Sequence, residues 1–138
     1  MLRPRHLLAG CALGLLLASG ARAEVPADFL RSFEAEARKA SPTFPGFSAQ
    51  RGEQLFTARH GGEWSCASCH TRDPATVGMH AKTGKAIQPL APAASGERFT
   101  SADKVEKWFR RNCNDVLGRA CTAEEKGDVL AYLLTVSK

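Results

Sequence analysis

The sequence predicts an all-α fold in one small domain. Apolar residues recur at helical spacing in four separate segments, no stretch alternates convincingly with period two, and the breaks between segments are filled by Pro and Gly. Length agrees with one core: of 138 residues, the first 23 read as an export signal, which leaves 115.

That signal opens with Arg3 and Arg5, continues through an apolar run from Leu7 to Ala18, and ends in Ala21-Arg22-Ala23. A charged start, a short apolar centre and a small-x-small end are the secretory pattern, with cleavage after Ala23. The run is too short for a membrane span of ~20 residues, so the mature chain is expected to carry no transmembrane segment. Leu8-Ala9-Gly10-Cys11 looks like a lipoprotein processing site, but only Leu7 and Leu8 stand before it as apolar core. Cleavage removes three arginines and no acids, taking Lys+Arg from 19 to 16 against 14 Asp+Glu, and the net charge from +5 to +2. The basic excess thus belongs largely to the signal, and no basic run interleaved with aromatics is present. Nucleic acid is not an expected partner.

The first helix is expected from Pro26 to about Lys39, with Phe29, Leu30, Phe33 and Ala37 on one face. Ser41-Pro42-Thr43-Phe44-Pro45-Gly46 breaks it. A second helix runs from Ser48, a plausible N-cap, to Arg59, stopped by Gly61-Gly62. From Thr71 to Phe99 the Pro and Gly content predicts a loop, and one of ~30 residues in a small domain must wrap something. A third helix starts near Thr100 or Ser101 and places Val105, Trp108, Phe109 and Asn112 on a shared face. Residues 113–121 close a short loop. The last helix opens on the capping box Thr122-x-x-Glu125, turns Val129, Leu130, Leu133 and Leu134 inward, and ends near Val136.

Between the second helix and the long loop stands Cys66-Ala67-Ser68-Cys69-His70. Cys-x-x-Cys-His is the attachment sequence of c-type haem. One tight turn lets both thiols reach the vinyl groups along one edge of the ring and sets the imidazole under the iron. Zinc would need a second closely spaced ligand pair, which Cys113 and Cys121 do not form. A thioredoxin-type pair needs flanking βαβ structure. One covalent haem c is therefore expected, held by Cys66, Cys69 and His70. Export places the four mature cysteines in an oxidising compartment. With two taken by haem, Cys113 and Cys121 remain to form a disulfide worth about 2.5 kcal/mol in the chain-entropy account.

The other side of the iron is open to several candidates. Met79, the one methionine left after cleavage, follows His70 by nine residues; His60 and His80 each stand ten residues away. Asn112 stands 42 residues on, sharing a face with Trp108; its bland role is to cap the helix end. An open or water-bound position is a further possibility. Trp108 could line the distal pocket, bind a haem propionate, or serve as a core aromatic.

Gly52-x-x-Leu55-Phe56, Cys-x-x-Cys-His and Val129-Leu130-Ala131-Tyr132-Leu133 resemble the class I cytochrome c pattern, in which the first and last helices cross. More specifically, Thr83-Gly84-Lys85, Pro89-Leu90-Ala91-Pro92, Arg98-Phe99-Thr100, Val105-Glu106-Lys107-Trp108, Arg111-Asn112-Cys113-Asn114 and Gly118-Arg119-x-Cys121-Thr122 resemble the sphaeroides haem protein family. Residues 71–80, with Met79-His80, depart from that pattern. The resemblance implies a single-domain class I cytochrome c fold with an extra N-terminal helix and one disulfide. The segments are then a signal (1–23), a helix and linker (24–47), and a cytochrome c domain (48–138). It implies a periplasmic high-spin haem with His70 on one side and Asn112 on the other, and matches Cys113 and Cys121 to the family disulfide. It implies that the Asn leaves on reduction and that the ferrous haem binds O₂, NO or CO, as suits a hard, weak amide donor. A potential below that of Met-ligated cytochromes follows. The implied electron donors are a dihaem cytochrome c and a membrane cytochrome b, with reaction of O₂ or a nitrogen oxide as a conceivable terminal step. Pro89 resembles the proline whose carbonyl orients the proximal imidazole in cytochromes c. The alternatives are a plain six-coordinate electron shuttle ligated by Met79, His80 or His60, and a ligand-binding sensor module.

Overall fold

The computed structural model describes residues 22–138. Of the expected signal at 1–23, residues 1–21, including Cys11, lie outside the described residues. Five helices follow in order: α1 (Pro26–Ala40), α2 (Ala49–Thr57), α3 (Cys66–His70), α4 (Ala102–Leu117) and α5 (Ala123–Thr135). The two short strands β1 (Gly78–Met79) and β2 (Ala86–Ile87) pair antiparallel, Gly78 opposite Ile87. Among the described residues, no helix is long and apolar enough to cross a membrane.

Helix α2 begins as expected: the Ser48 hydroxyl accepts from the Arg51 N–H at 3.2 Å. It ends at Thr57, two residues short of Arg59. Its packing on α5 depends on Gly52, because a Cβ there would lie 1.9 Å from the Asp128 carbonyl oxygen. Only hydrogen fits, so the two backbones meet and the first and last helices of the cytochrome core cross. The Asp128 carboxylate, 4% exposed, ties the same crossing together. It accepts from the Ser48 N–H at 2.6 Å and from Arg51 Nε and Nη2 at 2.7 and 2.9 Å. A buried carboxylate is tolerated because every bond it lost to water is replaced.

Phe56, Leu130 and Leu133 form the fully buried centre of the core. Helix α1 joins it: Phe29 and Phe33 are buried in the same cluster. The Phe33 ring meets Phe109 of α4 edge-on at 5.8 Å, and Phe29 meets Phe99 at 6.2 Å. Residues 24–47 thus contribute two aromatics to the domain's own core.

Two expectations about the C-terminal half need correction. Helix α4 does not end at Asn112; it runs five residues further, through Cys113, to a left-handed cap at Gly118 (φ 67°). Val116, buried one turn after Asn112, extends the apolar face and the helix with it. Asn112 therefore caps nothing. Leu134, expected inward, is 44% exposed. Leu133, 1% exposed, holds the core position, and Leu134, the second-last residue of α5, lies at the helix end where the packing gives way to solvent. The Thr122–Glu125 capping box is present, with the Thr122 hydroxyl accepting from the Glu125 N–H and the Glu125 carboxylate accepting from the Thr122 N–H.

The loop from Thr71 to Phe99 is more ordered than its composition suggests. The buried Pro74 carbonyl accepts from both Leu90 and Ala91 N–H groups, at 2.8 and 2.9 Å. The two-residue strands close a turn over 80–85, too short to show a period in sequence. Thr71 (φ 61°) and Phe99 (φ 56°) are left-handed at either end.

Candidate functional site

Helix α3 is a single turn of backbone, which is what the Cys-x-x-Cys-His spacing demands. The hydroxyl of Ser68 accepts from the Ser65 N–H at 2.9 Å, fixing the entry to the turn. Cys66, Cys69 and His70 all face one cavity of about 300 Å³, at the small end of the range for cofactor pockets. Its walls come from α2 (Phe56), the loop (Leu90, Phe99), α4 (Val105, Phe109) and α5 (Val129, Leu133). Phe56 lies beside the imidazole, its ring centroid 6.4 Å from that of His70.

The electrostatics of the motif are those of a buried, apolar pocket. Neither Cys66 nor Cys69 is in a disulfide. Burial pushes the Cys66 thiol up to about 11, so it is protonated at neutral pH, unlike the activated thiolate of a redox or zinc site. Cys69 Sγ accepts from the Ala81 N–H at 3.3 Å. Burial, with the nearby charge of Arg98, lowers His70 to about 4. Its imidazole is neutral and has a lone pair to offer a metal. Two free sulfurs, a neutral imidazole and an apolar cavity fit haem c.

Asn112, half-buried on α4, lines the same cavity. The next residue, Cys113, is bonded to Cys121 with the Cα atoms 5.5 Å apart. The bridge fastens the body of α4 to the start of α5, and both cysteines line the cavity.

The rival ligands fare differently. Met79 is 62% exposed and does not line the cavity. His60 is turned away, its Nε2 2.9 Å from the Leu55 carbonyl at the end of α2. His80 does line the cavity, but its Nδ1 accepts from the backbone N–H groups of Lys82 and Thr83, at 3.2 and 3.4 Å. Trp108 is 47% exposed at the cavity rim, flanked by Lys107 and Arg111, so the core-aromatic reading is wrong. The Pro89 carbonyl is held by Arg98 Nε at 2.8 Å, and among the described residues no hydrogen bond joins it to His70.

A family profile described as a domain of unknown function (DUF1924) matches residues 42–133. Cytochrome c″ of Methylophilus methylotrophus is 45% identical over 106 residues, covering 74% of each chain. The cytochrome c-type protein SHP of Cereibacter sphaeroides is 45% identical over 112 residues, 78% of this chain and 81% of that protein. The chain belongs to the sphaeroides haem protein family of c-type cytochromes. Solved structures agree. The oxidised SHP structure, described as an oxygen-binding cytochrome c, superposes with TM-score 0.72 at 41% identity, covering 82% of this chain and 98% of that one. Oxidised cytochrome c″ gives 0.74 at 41% identity, covering 82% and 95%. The all-α class I fold with its disulfide is thereby established for this family member.

Sequence reasoning missed two residues at this sphaeroides haem protein site. Gly78 lies where a Cβ would come 2.1 Å from the Cys69 carbonyl oxygen; a lone loop Gly carries no local signal of such contact. Arg98 holds the carbonyls of Gln88 and Pro89; nothing in Arg98-Phe99-Thr100 signals those bonds.

Proposed function

We propose that this chain is an exported monohaem c-type cytochrome that carries electrons and exposes a binding position when reduced. In this reading the Cys66 and Cys69 sulfurs would hold one haem by thioether bonds, His70 would ligate its iron, and Asn112 would be the displaceable second ligand. The observation that carries this reading is a single cavity lined by the Cys-x-x-Cys-His turn and, on α4, by Asn112, while Met79 and His60 lie outside it and His80 is engaged at Nδ1 by the backbone N–H groups of Lys82 and Thr83.

Bound haem would supply reversible one-electron chemistry and an iron able to take a diatomic ligand. The chain's part is to bind, orient and exclude water. The apolar walls desolvate the site, Phe56 confines the imidazole, and burial keeps His70 neutral. A neutral amide oxygen is a hard donor, matched to ferric rather than ferrous iron. A donor so matched would be weakly held on ferrous iron, which could then take O₂, NO or CO, in keeping with the oxygen binding named for SHP and the haem-ligand detachment named for cytochrome c″. The electron donors in this reading are a dihaem cytochrome c and a membrane cytochrome b in the periplasm.

Asn112→Ala tests it. The variant should keep its haem covalently attached, lose the wild-type ferric spectrum, and bind CO as readily as wild type once reduced. An unchanged ferric spectrum removes Asn112 from the iron. A low-spin, CO-inert wild-type ferrous protein refutes ligand displacement and favours the plain six-coordinate shuttle.

A further inference from the structure

Helix α4 carries Asn112 and Cys113, yet its first turn is not closed by the residues that precede it. Ser101 stands at the N-cap with an extended backbone, but its hydroxyl makes no capping bond. The Thr100 hydroxyl is directed to the Glu97 carbonyl at 3.0 Å. Serine is a preferred residue at this position, and here it leaves the Ala102 N–H to another partner. That partner is Glu24, 78 residues earlier, whose carboxylate accepts from the Ala102 N–H at 2.5 Å. A carboxylate there satisfies an orphan donor and meets the positive end of the helix dipole.

Glu24 is held in position by the start of α1. The Val25 N–H donates to the Asp28 carboxylate at 2.8 Å and the Asp28 N–H to the Val25 carbonyl at 2.8 Å, so the chain enters the helix along one path. Phe29 then packs its ring on Phe99 at 6.2 Å. The start of α1 therefore grips the entry to α4 at two points, the Phe99 ring and the Ala102 N–H. Between and just beyond them stand Thr100, Ser101, Lys104 and Val105, which with Phe99 line the cavity. With Glu24 on the amide, the Ser101 hydroxyl is not needed as a cap and stays on the cavity wall.

We infer that Glu24 is a positioning residue: its carboxylate caps α4 from the N-terminal segment and so holds residues 99–105 as a fixed wall of the haem cavity. The inference rests on the haem reading above. It gives the extra N-terminal segment a function beyond its two core aromatics. Cleavage after Ala23 would leave Glu24 as the first side chain of the mature protein, and a cut one residue later would remove the cap. Each opening of the first turn of α4 parts the wall between Ser101 and Val105, and the cap limits how often that occurs. Passage of water and small ligands to the iron is limited with it.

The test compares the intact holoproteins of wild type, Glu24→Ala, Glu24→Gln and Glu34→Ala, the last because Glu34 is an α1 carboxylate paired with Arg38 of the same helix. Haem attachment is read by mass, and opening of the first turn by hydrogen exchange at the Ala102 amide. Access to the iron is read by the rate of CO binding to the ferrous protein. Loss of the cap should speed Ala102 exchange about fivefold in Glu24→Ala. Glu24→Gln, whose amide oxygen can still accept, should lie between that variant and wild type, and Glu34→Ala should match wild type. CO binding should quicken in the same order. Wild-type exchange in Glu24→Ala means that Ser101 takes over the cap, and overturns the inference. Faster exchange with unchanged CO binding leaves a cap with no hold on the site and overturns it too. So does an equal change in Glu34→Ala, which ties the effect to charge on α1 rather than to the bond. A wild-type chain without haem mass refutes the attachment itself, while the exchange comparison still decides the cap.

Discussion

Replacing Gly78 by Ala probes how closely the long loop must seat on the haem-binding turn. An added Cβ would meet the Cys69 carbonyl oxygen at 2.1 Å, with the Cys69 carbonyl carbon and His70 Cα both at 3.1 Å. Ordinary contact begins at 3.4 Å, so strand β1 or helix α3 must give way by about 1.3 Å. The atoms in the way are backbone, and no rotamer change relieves them. Overpacking of this kind costs about 1–3 kcal/mol, and the upper half of that range applies here because the neighbour is main chain. The added methyl recovers less than 1 kcal/mol of unfolded-state entropy. A net loss of about 2 kcal/mol lowers the thermal midpoint of a domain this size by roughly 8 °C. Gly96→Ala is the control, since nothing lies within 4 Å of its Cβ; it should be neutral within about 0.5 kcal/mol. Thermal and denaturant unfolding of the holoproteins measures both, and the ferric spectrum reports any tilt of His70. Wild-type stability and an unshifted spectrum in Gly78→Ala would refute the close seating of loop on turn.

Three further outcomes follow from the geometry. Gly52→Ala, at 1.9 Å from the Asp128 carbonyl oxygen, should destabilise by about 2 kcal/mol despite the better helix propensity of Ala; equal denaturant midpoints would contradict the helix crossing. Met79→Leu should leave the ferric and ferrous spectra unchanged because the side chain is exposed outside the cavity, and any change in iron ligation would restore Met79 as a competitor. Arg119, and to a smaller degree the Thr122 backbone, hold Glu125 below the usual carboxylate range. Stability from this group is therefore present above the unfolded glutamate pKa and is lost as pH falls through the folded one. The stability difference between wild type and Glu125→Gln should shrink from about pH 7 to about pH 3, and a constant gap across that range would dissociate it from the ion pair.

What could be read from the sequence was what repeats or what chemistry spaces. Helix α1 showed its apolar face, Ser48 and Thr122 announced their helices, and Cys66, Cys69 and His70 carried their own arithmetic. The end of α4 was hidden because Asn112 and Cys113 read as a stop, while the αL residue that ends the helix is Gly118, five residues past Cys113. Leu134 misled because period alone cannot choose between adjacent leucines on an apolar helix. Two of the site details invisible in sequence are non-local, the Gly78 contact and the Arg98 bonds to carbonyls nine and ten residues away; the His80 Nδ1 bonds are local, to Lys82 and Thr83, but no residue pattern announces them.

The left-handed residues at Thr71 and Phe99 have a practical use. They fix the direction in which the chain leaves the haem-binding turn and the direction in which it enters α4, and with Pro74 and Gly78 holding the loop in its seat only the exposed turn between β1 and β2 is free to vary. The turn at Thr83-Gly84 is exposed, Gly84 has nothing within 4 Å of its Cβ, and the β1–β2 pair insulates the rest of the loop from it. That turn is a graft point. A peptide or an electrode tether inserted there would sit next to Lys82, which lines the cavity, while both loop ends kept their course.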